Sequence, residues 1–154
     1  MKRPRFEVRR TTEGTVFEVA FVLLTIIVWV LVIMMLNAAP DTVPTHFGPS
    51  GAPDSYGEKH EMLFPCIITW VVGFCCLAGA YFPHTVNIPF VEIANTTQAA
   101  LASRMMRVMA LLMVTMTATH AFDALRGRFL FTAVILIALL VVCIVFGILI
   151  AKRK

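Results

Sequence analysis

Residues 19–36 read VAFVLLTIIVWVLVIMML, an apolar run in which Thr25 is the only polar side chain. A helix of about 20 such residues is long enough to cross a hydrocarbon core of roughly 30 Å. Three further apolar runs follow, so we predict four transmembrane helices, at about residues 16–36, 62–82, 105–122 and 129–150. The pattern indicates an all-α integral membrane protein, a four-transmembrane-helix bundle in which residues 1–154 form a single domain.

The composition indicates that this chain resides in a lipid bilayer. Hydrophobic residues make up 59% of it and charged residues only 14%. In a chain of 154 residues, four membrane spans leave no room for a separate soluble catalytic domain. The four cysteines lie inside apolar runs and form no CxxC pair, so we expect neither a disulfide framework nor a zinc knuckle.

The basic residues predict which side of the membrane each loop faces. Four spans place both termini on one side, and lysine and arginine are enriched in cytoplasmic loops. We therefore expect cytoplasmic N- and C-termini, a cytoplasmic connection at residues 83–104 and an extracytoplasmic loop at residues 37–61. Clustering of basic residues at the two chain ends is typical of membrane topology, so we expect no nucleic-acid partner. The residues behind this orientation are Lys2, Arg3, Arg5, Arg9, Arg10, Arg104, Arg107, Lys152, Arg153 and Lys154.

The third span carries the most polar side chains. Thr115, Thr117 and Thr119 can form hydrogen bonds to their own helix or to a neighbour, which predicts that this span lies inside the bundle. Asn95 and Gln98 have the spacing of a helix-capping box, so the helix should begin well before the membrane. The fourth span contains only Thr132 as a polar residue and should face the most lipid.

The 25-residue loop between the first two spans, residues 37–61, reads NAAPDTVPTHFGPSGAPDSYGEKHE. Loops of this length are usually either functional or disordered. Four prolines, three glycines and two aromatic residues indicate an ordered cap rather than a flexible linker. Residues 43–47 should be extended, because Pro44 disfavours helix in the residue before it, and residues 50–54 should form a turn.

This loop resembles the signature of the SdpI-like family, whose domain of unknown function carries a P-T-H-F segment and a G-x-P-D-x-Y-G-x-K segment. The matching parts are Pro40, VPTHF at residues 43–47, GAPDSYGEK at residues 51–59 and Pro65, and weaker likeness extends over about residues 16–110. The resemblance implies a multi-pass protein of the bacterial cytoplasmic (inner) membrane. It also implies a role in immunity to, or sensing of, a secreted toxin peptide, with a cytoplasmic regulator as a second partner.

His46, Asp54 and Lys59 are the polar residues that fall on the family motif, and all three could join one network that holds the cap in shape. A ligand-binding role is the second interpretation, because His120 and Asp123 should lie at the same face of the membrane. The third is a metal site, with zinc as the candidate ion. The ligand-binding or structural set is His46, Asp54, Tyr56, Lys59, His120 and Asp123, and the candidate metal ligands are His46, Asp54 and His60.

Function remains open between three classes at this point. No nucleophile elbow and no phosphate-binding loop is present, which favours a protein that is not an enzyme. Our leading prediction is a membrane immunity or sensing protein that binds an extracellular peptide or small ligand through its first loop. The alternatives are a metal-dependent membrane enzyme with a site at the outer face, and an accessory subunit of a larger membrane complex.

Overall fold

The computed structural model describes Phe6, residues 10–89 and residues 91–153. Within these residues, four long helices form one bundle, and a two-stranded antiparallel hairpin lies between the first two helices along the chain. The helices are α1 (Thr12–Ala38), α2 (Leu63–Gly79), α3 (Thr96–Arg126) and α4 (Phe131–Ala151), and the strands are β1 (Thr42–Phe47) and β2 (Pro53–Glu58). Five of the basic residues used to predict orientation lie outside the described residues: Lys2, Arg3, Arg5, Arg9 and Lys154.

All four helices are long and apolar enough to cross a membrane, with α2 extended at its start by a 3₁₀ turn over Lys59–Met62. This confirms the prediction of four helices of membrane length. Pro65 lies in the first turn of α2, where its missing amide donor costs no intrahelical hydrogen bond. The helix predicted to begin before the third span does so, since α3 starts at Thr96.

The hairpin corrects the all-α description of the fold. Its two strands contain Pro44 and Pro53, which is tolerated because a two-stranded ribbon has two open edges and a proline there removes no ladder bond. The extended stretch predicted at residues 43–47 is confirmed. The turn lies earlier than predicted, at residues 48–52, where Gly51 adopts a φ of 76° that favours glycine. The strand register shifts on both sides of His46.

Helix α3 is the centre of the bundle and packs against α1, α2 and α4. In its most apolar stretch 44% of residues are buried, against 6% in α4, which confirms α3 as the inner helix and α4 as the most exposed. Gly73 of α2 permits this packing, because a Cβ there would lie 3.2 Å from the Ala110 carbonyl oxygen. The apolar core between α1, α2 and α3 is completed by residues such as Val32 and Val114.

Hydroxyl groups join the packed helices in the way predicted for the third span. Thr117 Oγ1 lies 3.0 Å from Thr69 Oγ1 of α2, and Cys66 Sγ donates to the Thr117 carbonyl oxygen over 3.3 Å. Thr132 of α4 donates to Thr119 over 3.2 Å. By contrast, Thr115 donates to the Leu111 carbonyl oxygen within its own helix. The hydroxyls of Thr69, Thr117 and Thr132 therefore find partners on α3 or across it.

Three helix ends meet at the end of the bundle away from the hairpin. Asn95 caps α3 by accepting from the Gln98 amide over 2.9 Å, which confirms the predicted cap. The Asn95 side chain also donates to the Arg153 carbonyl oxygen just after α4. Arg104 of α3 holds Glu13 at the start of α1 through two 2.7 Å bonds. The start of α1, the start of α3 and the end of α4 consequently lie together.

Candidate ligand-binding site

The hairpin is fastened to the connection between α3 and α4. The Phe129 amide donates to the Gly51 carbonyl oxygen at the hairpin turn over 3.1 Å. The rings of Phe47 and Phe129 lie 5.8 Å apart, centroid to centroid. Val43 on β1 is buried in the main core together with Met62. The hairpin is thus held to the bundle through its turn, through β1 and through the 3₁₀ turn that follows it.

A cavity of about 310 Å³ lies where the hairpin meets the helices. Its volume falls at the lower end of the roughly 300–1,000 Å³ found for small-molecule sites. Strand β1, the 3₁₀ turn, the first turn of α2, the end of α3 and the α3–α4 connection all contribute to it. The described lining residues are Pro44, Thr45, His46, Phe47, Glu61, Met62, Pro65, His120, Asp123, Ala124 and Phe129.

His46 is the lining residue that carries the clearest polar pairing. Its Nδ1 lies 2.5 Å from Asp54 Oδ1 on the opposite strand. Both side chains are largely exposed, at 70% and 50%, so the pair contributes little to stability. A carboxylate on one ring nitrogen fixes the orientation of the imidazole and leaves Nε2 for another partner. The pair is therefore suited to recognition at the edge of the cavity.

Asp123 also lines the cavity, but its carboxylate has a structural task. It is 1% exposed, and its two oxygens accept from the Phe131 amide over 3.1 Å and the Thr132 amide over 2.8 Å. These amides belong to the exposed first turn of α4, so Asp123 caps α4 from the end of α3. Gly127, with a φ of 61°, ends α3 and permits the tight corner between the two helices.

The other predicted residues are placed away from this pair. Lys59 does not join Asp54; its ammonium lies 3.1 Å from Asp41 Oδ1, and its amide donates to the Asp41 carbonyl oxygen. Tyr56 is exposed on β2 opposite Pro44. His60 is exposed in the 3₁₀ turn and is not among the described lining residues. The predicted single network is in fact two ion pairs, one in the hairpin and one closing its base.

The candidate metal ligands His46, Asp54 and His60 do not form a cluster. The part of the chain that the structure describes contains no group of three or more His, Cys, Asp or Glu side chains placed to hold a metal ion. His46, His120 and Asp123, which were expected at the same face of the membrane, line one cavity. Sequence reasoning did not single out Phe129, because nothing local links it to a hairpin turn 78 positions earlier.

Comparison with known proteins bears mainly on the hairpin. A family model described as "Domain of unknown function (DUF1648)" matches residues 23–70, which include most of α1, the hairpin and the first part of α2. An uncharacterized protein of Archaeoglobus fulgidus is 30% identical over 71 residues, covering 41% of this chain and 39% of the relative. The chain thus spans about two fifths of the length of that relative. No solved structure matches the chain.

The matched segment contains part of the candidate site. His46, Asp54, Tyr56 and Lys59 fall inside it, whereas His120 and the other residues contributed by α3 lie beyond it. The chain therefore carries a segment similar to a domain of unknown function, and α3 together with the α3–α4 connection completes the cavity.

Proposed function

We propose that this chain is a membrane immunity or sensing protein of the SdpI-like type that binds an extracellular peptide or small ligand beneath its hairpin. The observation that carries the proposal is the cavity of about 310 Å³, lined by His46 from the hairpin and His120 from α3. Its mixed lining, with apolar walls and a few convergent polar groups, is typical of sites for small ligands or peptide side chains.

Several of the residues that resemble the SdpI-like signature have an identifiable role in the cavity or in the hairpin beside it, which supports the family proposal. Pro44 and His46 line the cavity, Asp54 holds the His46 imidazole, and Pro65 lines it from α2. Lys59 closes the base of the hairpin by pairing with Asp41. A motif whose members position one site is better explained by recognition than by a need for turns alone.

Charge distribution supports an orientation with the hairpin outside and both termini in the cytoplasm of a bacterial cell. Arg10, Arg104 and Arg107 lie at the end of the bundle away from the hairpin, where the starts of α1 and α3 meet the end of α4. Lysine and arginine favour the cytoplasmic side of a membrane. In this orientation the cavity opens to molecules arriving from outside the cell, and a cytoplasmic regulator would have access only to the opposite end.

The test is a deletion in the host, complemented with single variants. We expect deletion to raise sensitivity to secreted antimicrobial peptides and the wild-type chain to restore resistance. His46→Ala and His120→Ala should fail to restore it, since both remove an imidazole that lines the cavity. His60→Ala is the matched control, because this exposed histidine of the same loop is not among the described lining residues.

Two results would contradict the proposal. One is unchanged peptide sensitivity after deletion, combined with no binding of such peptides to the purified protein. The other is full complementation by both His46→Ala and His120→Ala at wild-type protein levels, measured by immunoblot of the membrane fraction.

A metal-dependent membrane enzyme is the second candidate, and the His46–Asp54 contact is the observation that favours it. A carboxylate bound to Nδ1 is the usual support of an imidazole that binds metal through Nε2. Elemental analysis of protein purified without chelator tests it. Stoichiometric zinc that disappears in His46→Ala, but not in His60→Ala, would support the enzyme and weaken the sensing proposal. The accessory-subunit alternative instead predicts stable co-purification with a larger membrane partner.

A further inference from the structure

The cavity is lined by acidic side chains and histidines. Its described lining residues include two carboxylates, Glu61 and Asp123, and two imidazoles, His46 and His120, but neither lysine nor arginine. Asp54 adds a third carboxylate through its contact with His46. A site in which carboxylates are not matched by fixed cations favours a positively charged occupant.

Two basic side chains of the surrounding elements are engaged elsewhere, and Arg128, next to Phe129, is exposed and is not among the described lining residues. Lys59 pairs with Asp41 at the base of the hairpin. Arg126 lies over the Phe122 ring, with its guanidinium carbon 5.1 Å from the ring centroid. The negative C-terminal end of α3 and the positive N-terminal end of α4, which Asp123 caps, lie together beside the cavity and offset each other. The charge preference therefore rests on the carboxylate side chains.

Gly57 leaves the space that the Glu61 carboxylate occupies beside the cavity. A Cβ at Gly57 would lie 2.7 Å from Cδ of Glu61, so only glycine leaves room for the carboxylate in its present position. Glu61 Oε1 also accepts from the Glu58 amide over 3.2 Å. The Glu61 carboxylate is thus positioned against the backbone of β2, and the residue is exposed.

Apolar surface completes the site. Phe47 and Phe129 lie 5.8 Å apart at the cavity wall, and Met62, Pro65 and Ala124 add further apolar lining. Aromatic faces attract cations as well as apolar groups. The surroundings consequently suit a molecule that combines a positive charge with a compact apolar body.

We propose that the ligand of this cavity carries a protonated amine on an apolar group, as in the N-terminus or a lysine side chain of a peptide. The proposal rests on the ligand-binding function proposed above and names its chemical class. The ammonium group binds at the Glu61 carboxylate, and the apolar part of the ligand packs against Phe47 and Phe129.

Three probes of matched size test the charge preference: phenethylamine, phenethyl alcohol and phenylacetate. Their binding to the purified full chain in neutral detergent is measured by calorimetry and by ligand-observed NMR. We expect phenethylamine to bind at least about tenfold more tightly than the other two, as a difference of one well-placed charge pair allows. Equal binding of all three probes would overturn the charge preference while leaving a ligand site in place.

Paired variants locate the effect. Glu61→Gln should weaken phenethylamine binding about tenfold and leave phenethyl alcohol unchanged. Glu58→Gln is the matched control, because Glu58 and Glu61 cap the same 3₁₀ turn reciprocally, while only Glu61 is among the described lining residues. Gly57→Ala keeps every carboxylate and displaces only that of Glu61, so it should also weaken phenethylamine binding. Thermal unfolding of each variant in the same detergent identifies any loss caused by misfolding.

The failure of this inference can be told apart from failure of the proposed function. No binding of phenethylamine, or equal weakening by Glu61→Gln and Glu58→Gln, overturns the amine proposal. The sensing proposal is decided separately, by the deletion phenotype and its complementation with the histidine variants.

Discussion

The two ends of the bundle carry charge in opposite ways. At the hairpin end the His46–Asp54 pair is largely exposed, and a cavity of about 310 Å³ separates the hairpin from α3. At the other end Arg107 is only 4% exposed, and a Cβ at Gly14 of α1 would lie 2.8 Å from its Nη2. The first end has space that can be filled without repacking helices, whereas the second is closed.

Arg107 makes the contrast sharper, because its charge is buried without full pairing. Among the described residues, Nε and Nη2 have no hydrogen-bond partner. The nearby carboxylates bind other groups. Glu13 accepts from Arg104, and Glu18 accepts from Arg10 and from the Tyr81 hydroxyl. The guanidinium lies over the Tyr81 ring at 5.8 Å. Burial at this end thus reflects the close approach of α1 and α3 rather than an optimal ion pair.

The largest effect on stability is expected at Asp123. This carboxylate lies at the hairpin end but, unlike the exposed His46–Asp54 pair, it is buried. Asp123→Ala leaves the amides of Phe131 and Thr132 without partners and should lower the free energy of unfolding by about 3 kcal/mol. Unfolding in mixed micelles, followed by circular dichroism, measures it. Asp54→Ala is the matched control at an exposed carboxylate, and an equal loss in both variants would show that Asp123 is no more structural than Asp54.

The next prediction is a substitution that raises the free energy of unfolding. Arg107→Met removes a buried, incompletely paired charge and keeps much of its volume, so it should raise the free energy of unfolding by about 1 kcal/mol in neutral detergent. Arg104→Met, one turn earlier, breaks the two bonds to Glu13 and should lower it. If Arg107→Met is instead strongly destabilising, Arg107 is fully paired, and the contrast between the two ends fails.

A smaller loss is expected in the middle of the bundle, which serves as the reference for both ends. Thr69→Val removes the hydrogen bond to Thr117 between α2 and α3 and should cost about 0.6 kcal/mol. Thr115→Val is the control, because Thr115 bonds only within its own helix. Equal losses from the two substitutions, measured by the same unfolding assay, would mean that the interhelical bond adds nothing.

The smallest effect concerns the exposed pair at the cavity edge. His46→Ala should change the free energy of unfolding by less than about 0.5 kcal/mol, as expected for a solvent-exposed ion pair. The same variant should still lose ligand binding. A large loss of stability would assign His46 a structural role and would weaken the interpretation of the hairpin end as a binding end.

Features that depend on neighbouring residues along the chain were predictable from sequence. The four helices follow from the length of the apolar runs, and the cap at Asn95 follows from its spacing to Gln98. Thr117 and Thr119 placed α3 inside the bundle because buried hydroxyls need partners. The placement of His46 and His120 at the same end of the bundle followed from topology, whereas their meeting at one cavity did not.

Features that depend on register and on distant contacts were not predictable. The strands were missed because prolines and turn residues obscure the two-residue alternation, and Lys59 was assigned to Asp54 because only the strand pairing reveals that Asp41 lies beside it. Arg107 was treated as a cytoplasmic surface charge. Its burial depends on how closely α1 approaches α3 at Gly14, and no local pattern encodes that distance.

The central position of α3 has a consequence for how the chain is made. Of the four helices, α3 is the least apolar in its best segment, and several of its polar groups are satisfied only by other helices. Helices α1 and α4, which are far more apolar, can partition into lipid independently as they leave the ribosome. Stable insertion of α3 instead requires its partners, so α4, which is synthesised after α3, helps to retain α3 in the membrane.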